Sequence, residues 1–196
     1  MKPPMLLRHL AQFGSFDKQA ELLCTQGLAY VLQTYKEAHS ALAAKVVEDT
    51  GSVIGDSVTW VAEAVQPDRA RVDLEAQNGT IPILKIEAKL RAELSKNQVR
   101  SYAQDLVDRN KGKGVLLLLV PEWRISEITT KTAEALALTE PGHWRLTDQR
   151  GYGAAVISWD ELFTVLQSGE SERFHFELDQ LEAMYRVLSG DDILPL

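Results

Sequence analysis

Two carboxylates and an amine lie within a short stretch of the 196-residue chain. Asp73 is part of the sequence RVDLE, and Glu87 and Lys89 form a Glu-x-Lys pattern in KIEAK. Two carboxylates on adjacent strands can hold a hard divalent cation and leave coordination positions for water and phosphate. A lysine two residues beyond the glutamate lies on the same face of the strand, where it can orient water or stabilise charge on phosphate. The residue types predict metal-dependent phosphodiester hydrolysis.

A β-hairpin is predicted to place these carboxylates on adjacent strands. Residues 70–76 and 81–89 have strand-like sequences and flank Asn78-Gly79, a strong hairpin signal. A two-residue turn would mix apolar and charged side chains on both faces, whereas a three-residue turn over 78–80 separates them. The three-residue turn is therefore predicted.

This register gives the hairpin one apolar face and one charged face. The apolar face pairs Ala70 with Ala88, Val72 with Ile86 and Leu74 with Leu84. The charged face pairs Arg69 with Lys89, Arg71 with Glu87 and Asp73 with Lys85. The same alternation places Asp68, which directly follows a proline, on the wrong face, so Asp73 is predicted as the first carboxylate. The alternative interpretation is a solvated face with ion pairs such as that between Arg71 and Glu87.

The helix predicted over residues 95–110 carries two more polar residues of interest. Gln98 and Tyr102 are one turn apart and share a face, so both can point toward the hairpin. Ser95 and Gln98 also match the capping-box pattern, and Tyr102 could pack in the core beside Val99. Both interpretations stay open at this point.

The segment RVDLEAQNGTIPILKIEAKLRAELSKNQVRSYAQDL resembles the core of PD-(D/E)XK (restriction-endonuclease-like) nucleases. In that superfamily an Asp on one strand precedes a Glu-x-Lys at the end of the next, and many members carry Gln-x-x-x-Tyr on the following helix. The corresponding residues here are Asp73, Glu87, Lys89, Gln98 and Tyr102. The resemblance covers residues 17–120, and it departs from the common pattern in lacking a proline directly before the aspartate.

The resemblance implies catalytic roles for these five residues and Mg²⁺ or Mn²⁺ as cofactor, held by Asp73 and Glu87. It also implies an acidic residue on the helix before the sheet that assists metal binding directly or through water, for which Glu21 matches better than Glu37 or Glu48. The implied fold is α/β (α+β), with a mixed central sheet and an αβββαβ core flanked by helices. We expect a single domain over 1–196, whose residues 121–196 extend the core.

Basic residues follow the predicted site closely: Arg91, Lys96, Arg100, Arg109, Lys111 and Lys113. The predicted nucleic-acid contacts are Arg71, Arg91, Lys96 and Arg100, and a solvated face is the alternative. A net charge of -7 argues against coating nucleic acid by charge alone. It is compatible with a nuclease, because a bound cation reverses the charge at the site.

The remaining elements position this region within a mixed sheet flanked by helices. Helices are predicted over 17–44, 126–138 and 174–188, with another capped by Ser158, and further strands over 57–65, 115–120 and 153–158. The continuous apolar run VLLLLV indicates a buried central or parallel strand. Trp123 and Trp144 are predicted to pack in the interior.

The chain has no apolar run near the roughly 20 residues needed to span a bilayer, and its one cysteine, Cys24, is expected to be a buried thiol. A cytoplasmic protein is therefore expected. The predicted substrate is DNA, ahead of RNA, in a prokaryotic defence, restriction or repair system. The alternative is a catalytically inactive module of the same fold, which serves as a binding or assembly subunit for a protein partner or homo-oligomer.

Overall fold

The computed structural model describes residues 19–51, 54–55, 57–65, 71–111, 113–138, 144–145, 152–167 and 171–190. The helices are α1 (Ala20–Thr34), α2 (Lys36–Thr50), α3 (Lys96–Asn110), α4 (Ile125–Leu136), α5 (Trp159–Leu166) and α6 (Glu172–Ser189). The strands are β1 (Thr59–Val65), β2 (Arg71–Asn78), β3 (Ile81–Ala88), β4 (Val115–Val120), β5 (Trp144–Arg145) and β6 (Gly153–Ser158). A 3-10 turn, Glu122–Arg124, connects β4 to α4.

The strands form one mixed sheet in the order β1-β2-β3-β4-β6-β5. The first three strands are antiparallel neighbours, β3, β4 and β6 run parallel, and β5 is antiparallel to β6. Every residue of β4 is buried, as its continuous apolar sequence predicts for a strand covered on both faces. The mixed α/β architecture predicted from the sequence is confirmed.

Helices cover both faces of the sheet. One apolar cluster joins α1, α2, α5 and α6 to the face that carries Leu117 and Leu119. The other joins α3 and α4 to the face that carries Leu116 and Leu118. Cys24 is fully buried in the first cluster, as expected. Within the described ranges no helix combines the length and apolar character that crossing a bilayer requires.

Two elements differ from the sequence prediction. The helix expected over 17–44 is divided between α1 and α2 at Tyr35, whose backbone is extended with φ -116° and ψ 112°. The ring of Tyr35 packs against Phe174 of α6 at 5.0 Å between centroids, which gives this break a place in the core. Strand β5 was not predicted, because two residues are too few for a recognisable pattern. Ser158 caps α5 as expected, since its side chain accepts from the Glu161 N–H.

The hairpin turn also differs from the prediction. Asn78 pairs with Ile81, so the turn has two residues and not three, and Gly79 takes the positive φ of 61° that such a turn needs. A bulge follows at Ala76/Gln77 and leaves Ile83 without an opposite residue. Its position beside Pro82 is favourable, because proline has no N–H to donate to the ladder.

The shorter turn and the bulge each move the register by one position, two in all, from the predicted one. Leu74 lies opposite Ile86, and Glu75 lies opposite Lys85. The predicted pairs of Leu74 with Leu84, of Val72 with Ile86 and of Asp73 with Lys85 are therefore wrong. One extra residue reverses the alternation that the two-residue turn alone would impose. Glu75, Lys85 and Glu87 consequently still share a face, the one covered by α3, while Asp68, Arg69 and Ala70 lie outside the described residues.

Candidate active site

Asp73 lies where β2 and β3 separate. The pairing of the two strands ends at Leu74 and Ile86. Beyond this pair, Oδ2 of Asp73 accepts a hydrogen bond from the Ala88 N–H at 2.8 Å. The carboxylate thus occupies the position of a ladder partner. Burial raises the pKa of Asp73, although the Ala88 N–H and the charge of Lys89 act in the opposite direction.

Strand β1 is distorted opposite Asp73. Glu63 has a φ of 51°, which is uncommon for a residue with a Cβ, and the β1–β2 pairing passes over it. At this point β2 changes the side on which it buries apolar residues. Leu74 belongs to the cluster under α1, whereas Val72 belongs to the cluster under α3. The prediction that both lie on one apolar face is therefore wrong.

Glu87 is 1% exposed and has two differently bound oxygens. Its Oε1 accepts from Lys89 Nζ and from Gln98 Nε2, each at 2.5 Å. Its Oε2 is buried and has no hydrogen-bond partner among the described residues. Burial and the nearby charge of Asp73 together raise the pKa of Glu87 to about 7. A buried carboxylate oxygen without a donor is costly, and a proton or a cation would satisfy it.

Lys89 is buried beside Glu87 and remains a cation. Burial alone would lower its pKa, but the charge and hydrogen bond of Glu87 outweigh burial, so the pKa is raised. A second carboxylate oxygen, Oε2 of Glu21, lies 3.9 Å from Lys89 Nζ. Lys89 therefore fits the role of a fixed positive charge and not that of a general base.

Ser95 caps α3, but only half of the predicted capping box forms, because the Gln98 side chain is directed to Glu87 and Tyr102 and not back to Ser95. The Gln98 main-chain N–H donates to Ser95 Oγ at 3.1 Å and so caps α3. Its side-chain Nε2 donates to Glu87 Oε1 and to the Tyr102 hydroxyl at 2.9 Å. The Tyr102 hydroxyl in turn donates to the main-chain oxygen of Arg71. Tyr102 is fully buried in the cluster under α3, so the core position and the contact with Gln98 hold together.

Glu21 is brought to the end of β3, as the resemblance implies, but its carboxylate holds backbone groups. Oε1 accepts from the N–H groups of Leu90, Arg91 and Ala92 at 2.8, 3.3 and 3.1 Å. These bonds join α1 to the segment that directly follows Lys89. Glu21 is thus close to the site through Lys89, and its Oε1 fixes the chain at the end of the strand.

Asp73 and Glu87 are the residues that would hold a metal. Their charges act on each other, and the unpartnered Oε2 of Glu87 offers a hard oxygen ligand of the kind that Mg²⁺ and Mn²⁺ prefer. No group of three or more His, Cys, Asp or Glu side chains is arranged for a metal in the part of the chain described. The fit is therefore to a cation with two carboxylate ligands, a number sufficient for Mg²⁺ when water and phosphate complete its shell.

The four predicted nucleic-acid contacts all bind within the chain. The contacts are Arg71 with Glu63 at 3.3 Å, Arg91 with the Ser189 main-chain oxygen at 3.3 Å, Lys96 with Glu134 at 2.6 Å and Arg100 with the Ala135 main-chain oxygen at 3.0 Å. Arg71 pairs with Glu63 and not with Glu87, so the structure does not show the cross-strand pair of the alternative interpretation.

A buried ion-pair cluster next to the site was missed. Lys85 is fully buried, and its Nζ lies 2.6 Å from Glu75 and 2.8 Å from Asp105 of α3. Arg109 contacts the same Asp105 at 3.1 Å. The alternation that places Asp73 and Glu87 on the charged face also places Glu75 and Lys85 there, and this signal could have identified the cluster.

Trp123 was predicted to pack in the interior and instead is 61% exposed. It lies on the 3-10 turn that follows β4, where the chain leaves the sheet. This turn lies outside the helix layers that cover the sheet, so the Trp123 side chain does not pack in either apolar cluster. Trp144 lies in β5, and its side chain is outside the described part of the structure.

Comparison with known proteins adds no assignment. No family model, no curated protein and no solved structure matches the chain. The function proposed below therefore depends on the arrangement of Asp73, Glu87, Lys89 and Gln98 and on the resemblance in their sequence pattern.

Proposed function

We propose that the protein is a divalent-metal-dependent nuclease of the PD-(D/E)XK type, which hydrolyses phosphodiester bonds in DNA with Mg²⁺ or Mn²⁺. The observation that carries the proposal is the buried Glu87 carboxylate beside Asp73, with one oxygen held by Lys89 and Gln98 and the other without a partner. A structural ion pair has no need of a second, unsatisfied carboxylate in a buried position.

The contacts of each residue indicate its role in the proposed reaction. Asp73 and Glu87 would hold the cation, which when bound supplies Lewis-acid activation of the phosphate and of the attacking water. Lys89, kept protonated by Glu87, places a fixed positive charge where the phosphate becomes more negative. Gln98 holds the orientation of Glu87, and the Tyr102 hydroxyl holds the Gln98 amide.

Hydrolysis of DNA tests the proposal directly. Purified protein should nick or degrade duplex and single-stranded DNA in Mg²⁺ or Mn²⁺, and EDTA should stop it. Asp73→Asn, Glu87→Gln and Lys89→Met should each lower the rate by about 100-fold or more, because each removes a metal ligand or the fixed charge. The matched controls are Asp179→Asn on α6 and Lys36→Met on α2, two exposed positions, which should keep the wild-type rate.

Activity that survives Asp73→Asn and Lys89→Met would contradict the proposal. Parallel assays with RNA of the same sequence test the choice of DNA, since the described site does not itself distinguish the two sugars. The resemblance alone suggests that the protein belongs to a defence, restriction or repair system.

The competing function is a binding or assembly module without catalysis. The neutralised basic residues around the site favour it, because Arg71 and Lys96 are paired with carboxylates. Titration calorimetry with Mn²⁺ separates the two. Binding that is lost in Asp73→Asn and kept in Asp179→Asn supports the nuclease, whereas the absence of binding by the wild type supports the module.

A further inference from the structure

Trp123 is the most exposed of the large hydrophobic side chains in the described residues. An indole that is 61% exposed contributes little to the core. Indole offers a large planar surface with few rotatable bonds, and such residues are enriched where proteins bind ligands.

Trp123 is held from one side by a buried arginine. The Arg124 guanidinium lies 5.7 Å from the centre of the Trp123 ring, a cation–π distance. Arg124 itself is only 3% exposed, and its Nη1 donates to the Ala92 main-chain oxygen at 2.8 Å. The buried Arg124 therefore supports the indole from one side.

The same contacts connect Trp123 to the proposed active site. Ala92, which accepts from Arg124, also donates its N–H to Glu21, whose other oxygen lies beside Lys89. Strands β3 and β4 run parallel, and the Lys89 N–H donates to the Leu119 main-chain oxygen. The chain segments that carry Lys89 and Trp123 thus leave the sheet side by side, at the carboxyl ends of β3 and β4.

The charges around Trp123 do not favour a phosphate. Glu127 contacts Arg124 at 3.2 Å and Lys131 at 2.7 Å, so both cations are compensated. Glu122 directly precedes Trp123, and Glu93 lies 4.0 Å from Lys131; both glutamates are exposed. An aromatic surface with a slightly acidic rim, linked to the proposed site through Ala92 and Glu21, suits the uncharged part of a nucleotide, which is its base.

On these observations, and given the proposed nuclease function, we infer that Trp123 stacks against an unpaired nucleobase next to the cleaved phosphodiester. The preferred substrate is then single-stranded nucleic acid, or a duplex end or unpaired site. In an intact duplex both faces of each base are covered by neighbouring bases, so a protein ring reaches a base only where pairing and stacking are interrupted.

Binding of two oligomers with the same phosphates tests the inference. Fluorescence anisotropy in Ca²⁺ compares a short oligothymidylate with an abasic oligomer of equal length. The wild type should bind the oligothymidylate about tenfold more tightly, Trp123→Ala should abolish that preference, and Trp123→Phe should keep most of it. Phe176→Ala, which removes an exposed ring on α6, is the matched control and should bind as the wild type does.

Hydrolysis supplies the second readout. Trp123→Ala should slow cleavage of single-stranded DNA about tenfold and leave cleavage within duplex DNA nearly unchanged. Equal effects of Trp123→Ala on both DNA forms, or equal binding of both oligomers by the wild type, would overturn the inference while the nuclease function stands. Base-dependent binding in a protein that hydrolyses nothing would remove the nuclease proposal and keep Trp123 as a base-binding residue.

A protein partner is the other occupant to exclude. Sedimentation of the wild type and of Trp123→Ala shows whether the tryptophan joins two copies of the chain. A change of assembly state without a change in oligothymidylate affinity overturns the inference in favour of a protein interface.

Discussion

Under the proposed function, two requirements on the Glu87 carboxylate conflict when no cation is bound. The carboxylate must be charged to hold a cation, yet burial and Asp73 favour its protonated form and raise its pKa to about 7. Lys89 and Gln98 satisfy one oxygen and leave the other without a donor in the described structure. Burial of Glu87 therefore favours its protonated form, and under the proposed function a bound cation would offset the same electrostatic cost.

The pH dependence of stability should show this cost. Folding raises the Glu87 pKa from 4.5 to about 7, so its contribution to stability is fully present below pH 4.5 and is lost as the pH rises through 7. Between about pH 5 and pH 8, metal-free wild type should lose up to roughly 3 kcal/mol of unfolding free energy relative to Glu87→Gln. Urea denaturation in EDTA measures the difference, and parallel pH profiles for the two proteins would refute it.

Under the proposed function, adding Mn²⁺ should restore the unfolding free energy that the protein loses as the pH rises. A cation that binds only the folded state at about 100 times its Kd adds about 2.7 kcal/mol to stability. Thermal unfolding with and without Mn²⁺ should show a higher Tm for the wild type and for Asp179→Asn, and no shift for Asp73→Asn. A shift of equal size in Asp73→Asn would place the bound metal elsewhere.

At the scale of elements, one face of α3 is attached to the hairpin by polar contacts. Gln98, Tyr102, Asp105 and Arg109 follow at steps of three and four residues and so share that face. Their partners are Glu87, the Arg71 main chain, Lys85 and the Thr80 main chain. The helix that carries Gln98 is thereby fixed in register with the strand that carries Glu87.

Removing the Tyr102 hydroxyl tests this attachment near the site. Tyr102→Phe loses the donor to the Arg71 main-chain oxygen and an acceptor for Gln98, which should cost about 1 kcal/mol of stability. Because the Tyr102 hydroxyl lies beside Glu87 and also holds the Gln98 amide that donates to Glu87, kcat should fall about tenfold with little change in KM. Steady-state hydrolysis and urea denaturation check both values, and a change in KM alone would count against a positioning role.

Removing the buried lysine tests the attachment away from the site. Lys85→Met leaves the buried Glu75 and Asp105 with only the more exposed Arg109 as a cation in the described structure, which should cost about 3 kcal/mol of stability. Lys113→Met, at an exposed position beyond α3, should change stability by less than about 0.5 kcal/mol. Denaturant midpoints provide the comparison, and similar values for the two variants would show that Lys85 is not a structural cation.

These elements also show what the sequence could and could not predict. Alternation along β2 and β3 correctly grouped Asp73 with Glu87 and Lys89, because side-chain period is a local property. The predicted turn length and strand register were wrong. A bulge beside Pro82 shifts the pairing, and side-chain alternation alone does not reveal a bulge. Trp123 was misassigned because composition suggests burial for tryptophan and cannot show that a turn leaves it outside both layers.

At the scale of the whole molecule, net charge and local ion pairs limit electrostatic binding. The chain carries a net charge of -7, and arginine or lysine side chains near the site are paired internally. Each phosphate contact contributes about -0.9 to the slope of log affinity against log salt for duplex DNA. We expect a slope no steeper than about -2 for this protein.

Anisotropy titrations across a series of KCl concentrations measure that slope. Lys96→Met should leave it nearly unchanged if the pair with Glu134 persists on binding. A slope steeper than about -4 would mean that nucleic acid opens the internal ion pairs and recruits their cations.

The contact between Arg91 and the Ser189 main-chain oxygen joins residues 98 positions apart in the sequence. During synthesis, β3 with Glu87 and Lys89 leaves the ribosome well before α6, whose apolar residues complete the cluster under α1. The end of β3 therefore lacks both its α6 partner and the core beneath it while the chain is growing. Under the proposed nuclease function, the site should therefore stay disorganised in a growing chain, and hydrolytic activity should appear only once α6 has been made and has packed against α1.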